Sequence, residues 1–264
     1  MPYRIKTPSK RQILEPEALI DRYERLGDWV MDHLQPIGIV GGILIVGAIG
    51  WGVFTWVGQR TEESAAILQA EAFKVYQAAT DPTRQQRVLA PETITSYEQA
   101  IAGFQKVRDA YPNTTQAAIA LYQQGNAYAA LGRYDEAIST YQHWLKEYRA
   151  PEMVPLVGQR LAYAYWAKGS PQDALARFDE VIKMKDAPNR DQAYFETGRI
   201  LEQQGHKDQA LTTYNTLATD YPSSPWGSEA VARIIALGGT PPRSESAKTP
   251  PTPDAKAPNP QPSP

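Results

Sequence analysis

GNAYAALGRYDEAISTYQHWL, residues 125–145, contains the pattern of two antiparallel helices joined by a tight turn. Ala137 and Tyr141 stand one helical turn apart and share a face, the alanine making room and the ring filling the gap. Gly132, five residues before Ala137, falls in the turn, where a side chain would forbid some backbone conformations. Gly125 and Tyr128 lie in the helix before it. The same offsets return Ala162, Tyr165 and Gly169, then Gly198, Leu201 and Gly205. Alanine and aromatic pairs recur four times, at Ala100 and Phe104, Ala137 and Tyr141, Ala174 and Phe178, Ala210 and Tyr214, with intervals of 37, 37 and 36 residues. A fixed period of that size marks an array of helix pairs, each with an apolar face that only its neighbours cover.

The copies AYAYWAKGSPQDALARFDEVI from Ala162 and GRILEQQGHKDQALTTYNTLA from Gly198 keep the register of the first. Together the three resemble the tetratricopeptide repeat, which implies an all-α solenoid of helix pairs. A degenerate first unit precedes them. Its second helix, SYEQAIAGFQKVRDAYP, fits, while its first, around Ala65 to Ala79, lacks the glycine and is followed by a polar loop with Pro82 and Pro91. Pro112 and Pro222 end second helices, since proline cannot continue one. Trp226 to Leu237 is predicted to be an amphipathic helix closing the stack.

Outward from the repeats, the composition changes twice. Ile37 to Gly58 has no charged residue over 22 positions. As a helix it would reach about 33 Å, enough for a hydrocarbon core of about 30 Å, with Trp29, Trp51 and Trp56 at headgroup levels. A cleaved signal peptide fits less well, because the run is long and Gln59 and Arg60 make a poor cleavage site. Arg4, Lys6, Lys10, Arg11, Arg22 and Arg25 precede the run and only Arg60 and Lys74 follow closely, so the N-terminus is expected in the cytoplasm. Ahead of it, Leu19, Tyr23, Leu26, Val30 and Leu34 recur at helical spacing, predicting a short amphipathic helix that lies on the membrane or meets a protein partner. From Gly238 onward there is no periodicity, and nine of the last 24 residues are proline, the composition of a disordered tail. The expected organisation is a cytoplasmic segment over 1–34, a transmembrane helix over 35–58, a repeat domain over 59–238 and a tail over 239–264. Gly38, Gly42, Ala48 and Gly52 repeat the small-residue spacing of transmembrane helix packing and allow a homo-oligomer.

Chemistry leaves little trace. With 27 basic and 29 acidic residues there is no footprint for nucleic acid. The absence of cysteine excludes disulfides, thiolate metal sites and a lipid-modified cysteine within the chain. His33, His143 and His206 have no ligand spacing, and no phosphate loop, dinucleotide fingerprint or HExxH occurs. No catalytic residue, cofactor or metal is expected. Asn113, Thr114 and Thr115 form a glycosylation sequon, which in a bacterial chain would be a coincidence.

The tetratricopeptide resemblance implies a groove lined by successive first helices. Carried onto this chain, the groove positions are Tyr122 and Asn126, Tyr163 and Trp166, Phe195 and Arg199. Some relatives hold a peptide carboxylate with a set of Lys, Asn and Arg side chains; Asn126 fits one such position, but Tyr122 and Leu156 stand where lysines would be needed. The whole layout is similar to the YfgM-type family, ancillary subunits of the SecYEG translocon in bacterial inner membranes. This implies translocon subunits, periplasmic chaperones or client polypeptides as partners. A cell-envelope assembly or division scaffold, or an organellar import receptor, are the alternatives.

Overall fold

The computed structural model describes residues 16–80, 90–148 and 150–242, and among them are ten α-helices and no strand. The chain divides into two units, Met1–Thr61 and Glu62–Pro264. The first contains α1 (Pro16–Asp32) and the beginning of α2 (Leu34–Thr80). Although composition changes at Gly58, α2 is continuous over 47 residues. Neither residue flanking the apolar run stops a helix. Pro36 falls in the first turn, where its missing N–H has no intrahelical partner to lose, and a glycine in a helix interior costs only about 1 kcal/mol.

Within α2, Ile39, Ile43, Leu44, Trp51 and Phe54 are all more than 60% exposed. None of its most apolar 18-residue window is buried, and the helix is long and apolar enough to cross a membrane. At the end of the apolar run the Arg60 guanidinium lies 4.5 Å from the centre of the Trp56 ring. On α1, Tyr23, Leu26 and Trp29 are exposed too. Residues 1–15, and most of the tail expected over 239–264, lie outside the described residues.

The second unit is an all-α solenoid. Its first pair joins the last turns of α2 to α3 (Pro91–Ala110). Then come α4 (Thr115–Ala130) with α5 (Tyr134–Glu147), α6 (Val154–Lys168) with α7 (Pro171–Lys183), and α8 (Arg190–Gln203) with α9 (Lys207–Asp220). The last helix is α10 (Pro225–Ala236). From α3 onward each helix packs on the next. Pro91, expected in a loop, opens α3 instead, because proline suits a first turn whose N–H groups are unpaired.

All eight residues of the alanine and aromatic pairs are at most 1% exposed. In the second pair the ring lies directly on a glycine: a Cβ on Gly125 would stand 2.5 Å from Tyr141 Cε1. Tyr214 crowds Gly198 in the same way. The first pair lacks that glycine on its first helix and finds it on its second, where a Cβ on Gly103 would stand 2.8 Å from Ala72 Cβ. The Trp144 indole N–H, fully buried on α5, donates to Ala118 O on α4 at 2.8 Å.

Each first helix of pairs two to four ends in the same way, and so does α10. Gly132, Gly169, Gly205 and Gly238 have φ of 72°, 88°, 77° and 75°, the left-handed region. The residue after each donates its N–H five positions back, at 2.8–2.9 Å, to Tyr128, Tyr165, Leu201 and Ile234. This satisfies carbonyls that the helix end leaves unpaired. α10 also begins like α4. Tyr111-Pro112-Asn113-Thr114 and Tyr221-Pro222-Ser223-Ser224 both lead into a hydroxyl cap, Thr114 accepting from the Ala117 N–H and Ser224 from the Trp226 N–H, each at 3.1 Å. α10 is therefore the first helix of a fifth pair that has no second helix among the described residues. It covers Tyr214, Leu217 and Phe195 with Ala230 and Ile234.

Candidate functional site

Successive first helices bring their side chains to one face. Tyr76 and Thr80 from α2, Asn126, Ala129 and Ala130 from α4, and Arg160, Tyr163, Ala164 and Ala167 from α6 line a cavity of about 360 Å³. Tyr97 from α3, with Tyr134 and Tyr141 from α5, complete it. Five tyrosines and one arginine thus share one hollow.

Most of its polar groups are bound within the fold. Tyr141 Oη donates to Asn126 Oδ1 at 2.7 Å, and Asn126 Nδ2 donates to Gln123 Oε1 at 3.1 Å. Tyr163 Oη donates to Glu196 Oε1 and accepts from Gln192 Nε2, both at 3.0 Å. The Tyr163 ring stands edge-on to Phe178 at 5.4 Å, and Tyr76 stands edge-on to Tyr97 at 5.8 Å. Burial pushes the Tyr76 hydroxyl up to about 12. It pushes Tyr141 and Tyr163 higher still, Tyr163 with help from the Glu196 carboxylate. These phenols stay protonated and act as hydrogen-bonding groups rather than as bases.

Arg160 differs from its neighbours. Its Nε donates to Tyr122 Oη at 3.3 Å, and no carboxylate among the described residues lies within ion-pair distance. Two sequence facts explain this: α4 has no charged residue, and α6 has no acidic one. Arg160 consequently has no acidic neighbour three or four positions away on its own helix or on α4 beside it. Burial works against its charge, but the Tyr122, Tyr141 and Tyr163 oxygens outweigh it and hold the guanidinium above the ordinary arginine range.

The six groove positions expected from the repeat register separate into three groups. Asn126 and Tyr163 line the cavity, and Tyr122, 8% exposed, lies behind Arg160. Trp166 and Arg199 form a second cluster, the Arg199 guanidinium 4.8 Å from the centre of the Trp166 indole and paired with Glu196 at 3.0 Å. Phe195 belongs to neither. It is 3% exposed and packs on Trp226 and Tyr214 at 5.0 and 5.9 Å, inside the core between the fourth pair and α10. Phe195 stands three residues before Gly198, as Tyr122 does before Gly125 and Gln159 before Ala162, and all three are buried, so this register column packs against neighbouring helices in each of these units. Sequence reasoning missed Tyr76, Arg160 and Glu196. The signal for Arg160 was the absence of acid from α6; Glu196 gave none, because its burial comes from the tertiary placement of Tyr163 and Arg199.

Gly38, Gly42, Ala48 and Gly52 all lie on the exposed part of α2, and a Cβ on any of the three glycines would meet nothing within 4 Å. Among the described residues no group of three or more His, Cys, Asp or Glu is placed to hold a metal.

The tetratricopeptide repeat family matches residues 95–151 and 160–225 of the sequence. No curated protein matches it. Among solved structures, the nearly identical TPR-like repeats of kinesin light chain type from Podosopora anserina are 17% identical with a TM-score of 0.50, over 64% of this chain and 88% of that one. BtubC from P. vanneervenii is 14% identical with a TM-score of 0.44, over 71% and 96%. PlcR of Bacillus thuringiensis, solved with the peptide PapR7 and DNA, is 14% identical with a TM-score of 0.43, over 68% and 73%. At 17% identity the likeness to the first of these concerns the fold alone. In this chain, then, residues 95–151 and 160–225 are tetratricopeptide repeats, and the tyrosine-lined cavity opens on the face made by their first helices.

Proposed function

We propose that this protein is a membrane-anchored adaptor that binds other polypeptides on the first-helix face of its solenoid, near the exit of a bacterial secretion channel. The observation that carries this reading is the pairing of an uncovered, charge-free apolar stretch on α2 with a repeat array whose cavity is lined by aromatic side chains and one arginine, with no His, Asp or Glu in its lining. Tetratricopeptide repeats are interaction modules, and aromatic and arginine side chains are the residues most enriched at binding hot spots. In this reading residues 35–58 form the span, with Gly38, Gly42, Ala48 and Gly52 as its packing face for a second copy. The six basic residues before the span keep the N-terminus in the cytoplasm and send the repeat domain over 59–238 to the periplasm. Trp56 and Arg60 anchor the far end of the span at the headgroups. Translocon subunits, a periplasmic chaperone or emerging clients are the partners.

Photocrosslinking from Tyr163 and Trp166 in intact membranes, followed by mass spectrometry, tests the partner. Translocon subunits or secretory chains are expected. Capture of outer-membrane or peptidoglycan-associated proteins alone would replace the translocon by an envelope scaffold. Topology is tested by single cysteines at Ser9 and at exposed Ser223 in the cysteine-free chain. Labelling from outside is expected at Ser223, and labelling at Ser9 instead would overturn the orientation.

A further inference from the structure

Arg160 is the single charged residue lining the cavity of about 360 Å³, surrounded by the phenols of Tyr76, Tyr97, Tyr134, Tyr141 and Tyr163. Its field reaches the Tyr76, Tyr141 and Tyr163 hydroxyls, opposing the effect of burial on each. Two other first-helix arginines have carboxylate partners, Arg199 in Glu196 at 3.0 Å and Arg233 in Glu202 and Glu229 at 3.6 and 3.5 Å, and Arg190 donates to the Ile182 and Lys185 carbonyls. A positive charge in a hollow walled by aromatic rings, with no acid opposite it, selects for an anion. One cation and no second Lys or Arg in the lining match a ligand of one negative charge better than a phosphate with nearly two. A carboxylate also fits the planar fork of a guanidinium, accepting two parallel N–H bonds.

We propose that Arg160 anchors an aspartate or glutamate side chain carried within a bound polypeptide segment, an inference that rests on reading the first-helix face as the protein-binding groove. An acidic side chain reaches the guanidinium while its backbone stays at the rim. A chain terminus would bring its last amide into the hollow, where Asn126 and Tyr163 are already hydrogen-bonded within the fold. Beyond Arg160 the lining continues as Ala129, Ala130, Ala164 and Ala167, whose methyl groups leave a shallow floor for residues flanking the acid. Tyrosine faces then cover the aliphatic stem of the bound side chain and exclude water from the ion pair, which strengthens it.

The test uses the full chain in detergent micelles and an array of dodecapeptides, acetylated and amidated at their ends, in which Glu, Asp, Gln or Asn is scanned through alanine, serine and tyrosine backgrounds. The same peptides with free C-terminal carboxylates form a second set. Capped peptides with Glu or Asp are expected to bind roughly tenfold or more tightly than their Gln or Asn counterparts, the range of a charge-assisted hydrogen bond. Arg160→Gln, at an exposed position, should abolish that preference without changing the circular dichroism spectrum, and Arg160→Lys should keep part of it. Equal binding of acids and amides, a preference that survives Arg160→Gln, or binding confined to free carboxylates would each overturn the proposal while leaving the groove in place. Failure of every peptide to bind would remove the groove reading and the Arg160 anchor together.

Discussion

Two glycines seven residues apart serve different ends in the same helix pair. Gly125 has ordinary helical geometry and is needed for space, since a Cβ there would meet Tyr141 Cε1 at 2.5 Å. Gly132 has open space around it but a φ of 72°. Gly125→Ala must displace a fully buried ring and is expected to cost about 1–3 kcal/mol, as overpacking does, measured by chemical denaturation of the full chain in micelles. At Gly132 side-chain size matters less than backbone tolerance. Gly132→Asn is expected to cost less than Gly132→Val, because asparagine accepts the left-handed region and a β-branched residue does not. Equal losses at that site would refute the backbone account. Glu196, 4% exposed, makes a pH-dependent prediction. Burial raises its pKa above 4.5, against the opposing pull of Arg199 and the Tyr163 hydroxyl. The folded chain holds this proton more tightly than the unfolded one, so the group's contribution to stability is greatest below the unfolded pKa and declines as pH rises through the folded one. Glu196→Gln removes that titration. Its melting temperature should gain on wild type as pH rises through the folded pKa of Glu196, and a gap that stays constant would disprove the linkage.

The capping of α10 can be tested on one side chain. Ser224 accepts from the Trp226 N–H and donates to Asp191 Oδ2 at 2.5 Å, tying the start of α10 to the start of α8. Ser224→Ala is expected to destabilise by about 1 kcal/mol, the worth of an N-cap, and Ser224→Thr to restore most of it in the same melt. At this scale the sequence was most legible where structure repeats. The alanine and aromatic pairs recur in four units and the turn glycines in the last three of them, so each copy supported the others. It was least legible at features that occur once. Pro91 resembled a loop residue because the register placed its helix later, and α2 resembled two segments because composition, not backbone, changes at Gly58. Asn126 and Tyr163 stand one position after Gly125 and Ala162, and that shared register brings both to the cavity lining. Phe195 belongs to a different register column, three residues before Gly198, and shares its burial with Tyr122 and Gln159. Arg160 was overlooked because its importance comes from an absence of acid on two helices, which a motif search does not see.

For the molecule as a whole, the solenoid is held by contacts between successive helices, with no single core. Such a stack transmits a defect to its neighbours and fades with distance. Gly198→Ala, which crowds Tyr214, should therefore raise amide exchange by roughly tenfold or more over α8 to α10 and by less than about threefold over α3 to α5. A uniform rise across all helices would mean that the array unfolds as one. The matched entrances of α4 and α10 add a consequence for ancestry. Because both follow a Tyr-Pro turn and a hydroxyl cap, and stand 110 residues apart, the sum of the three repeat periods, the closing helix can seat on any second helix of the array. In-frame gain or loss of one period would leave both junctions chemically unchanged. The number of repeats, and so the length of polypeptide the groove can hold, is open to selection without a new fold having to be invented.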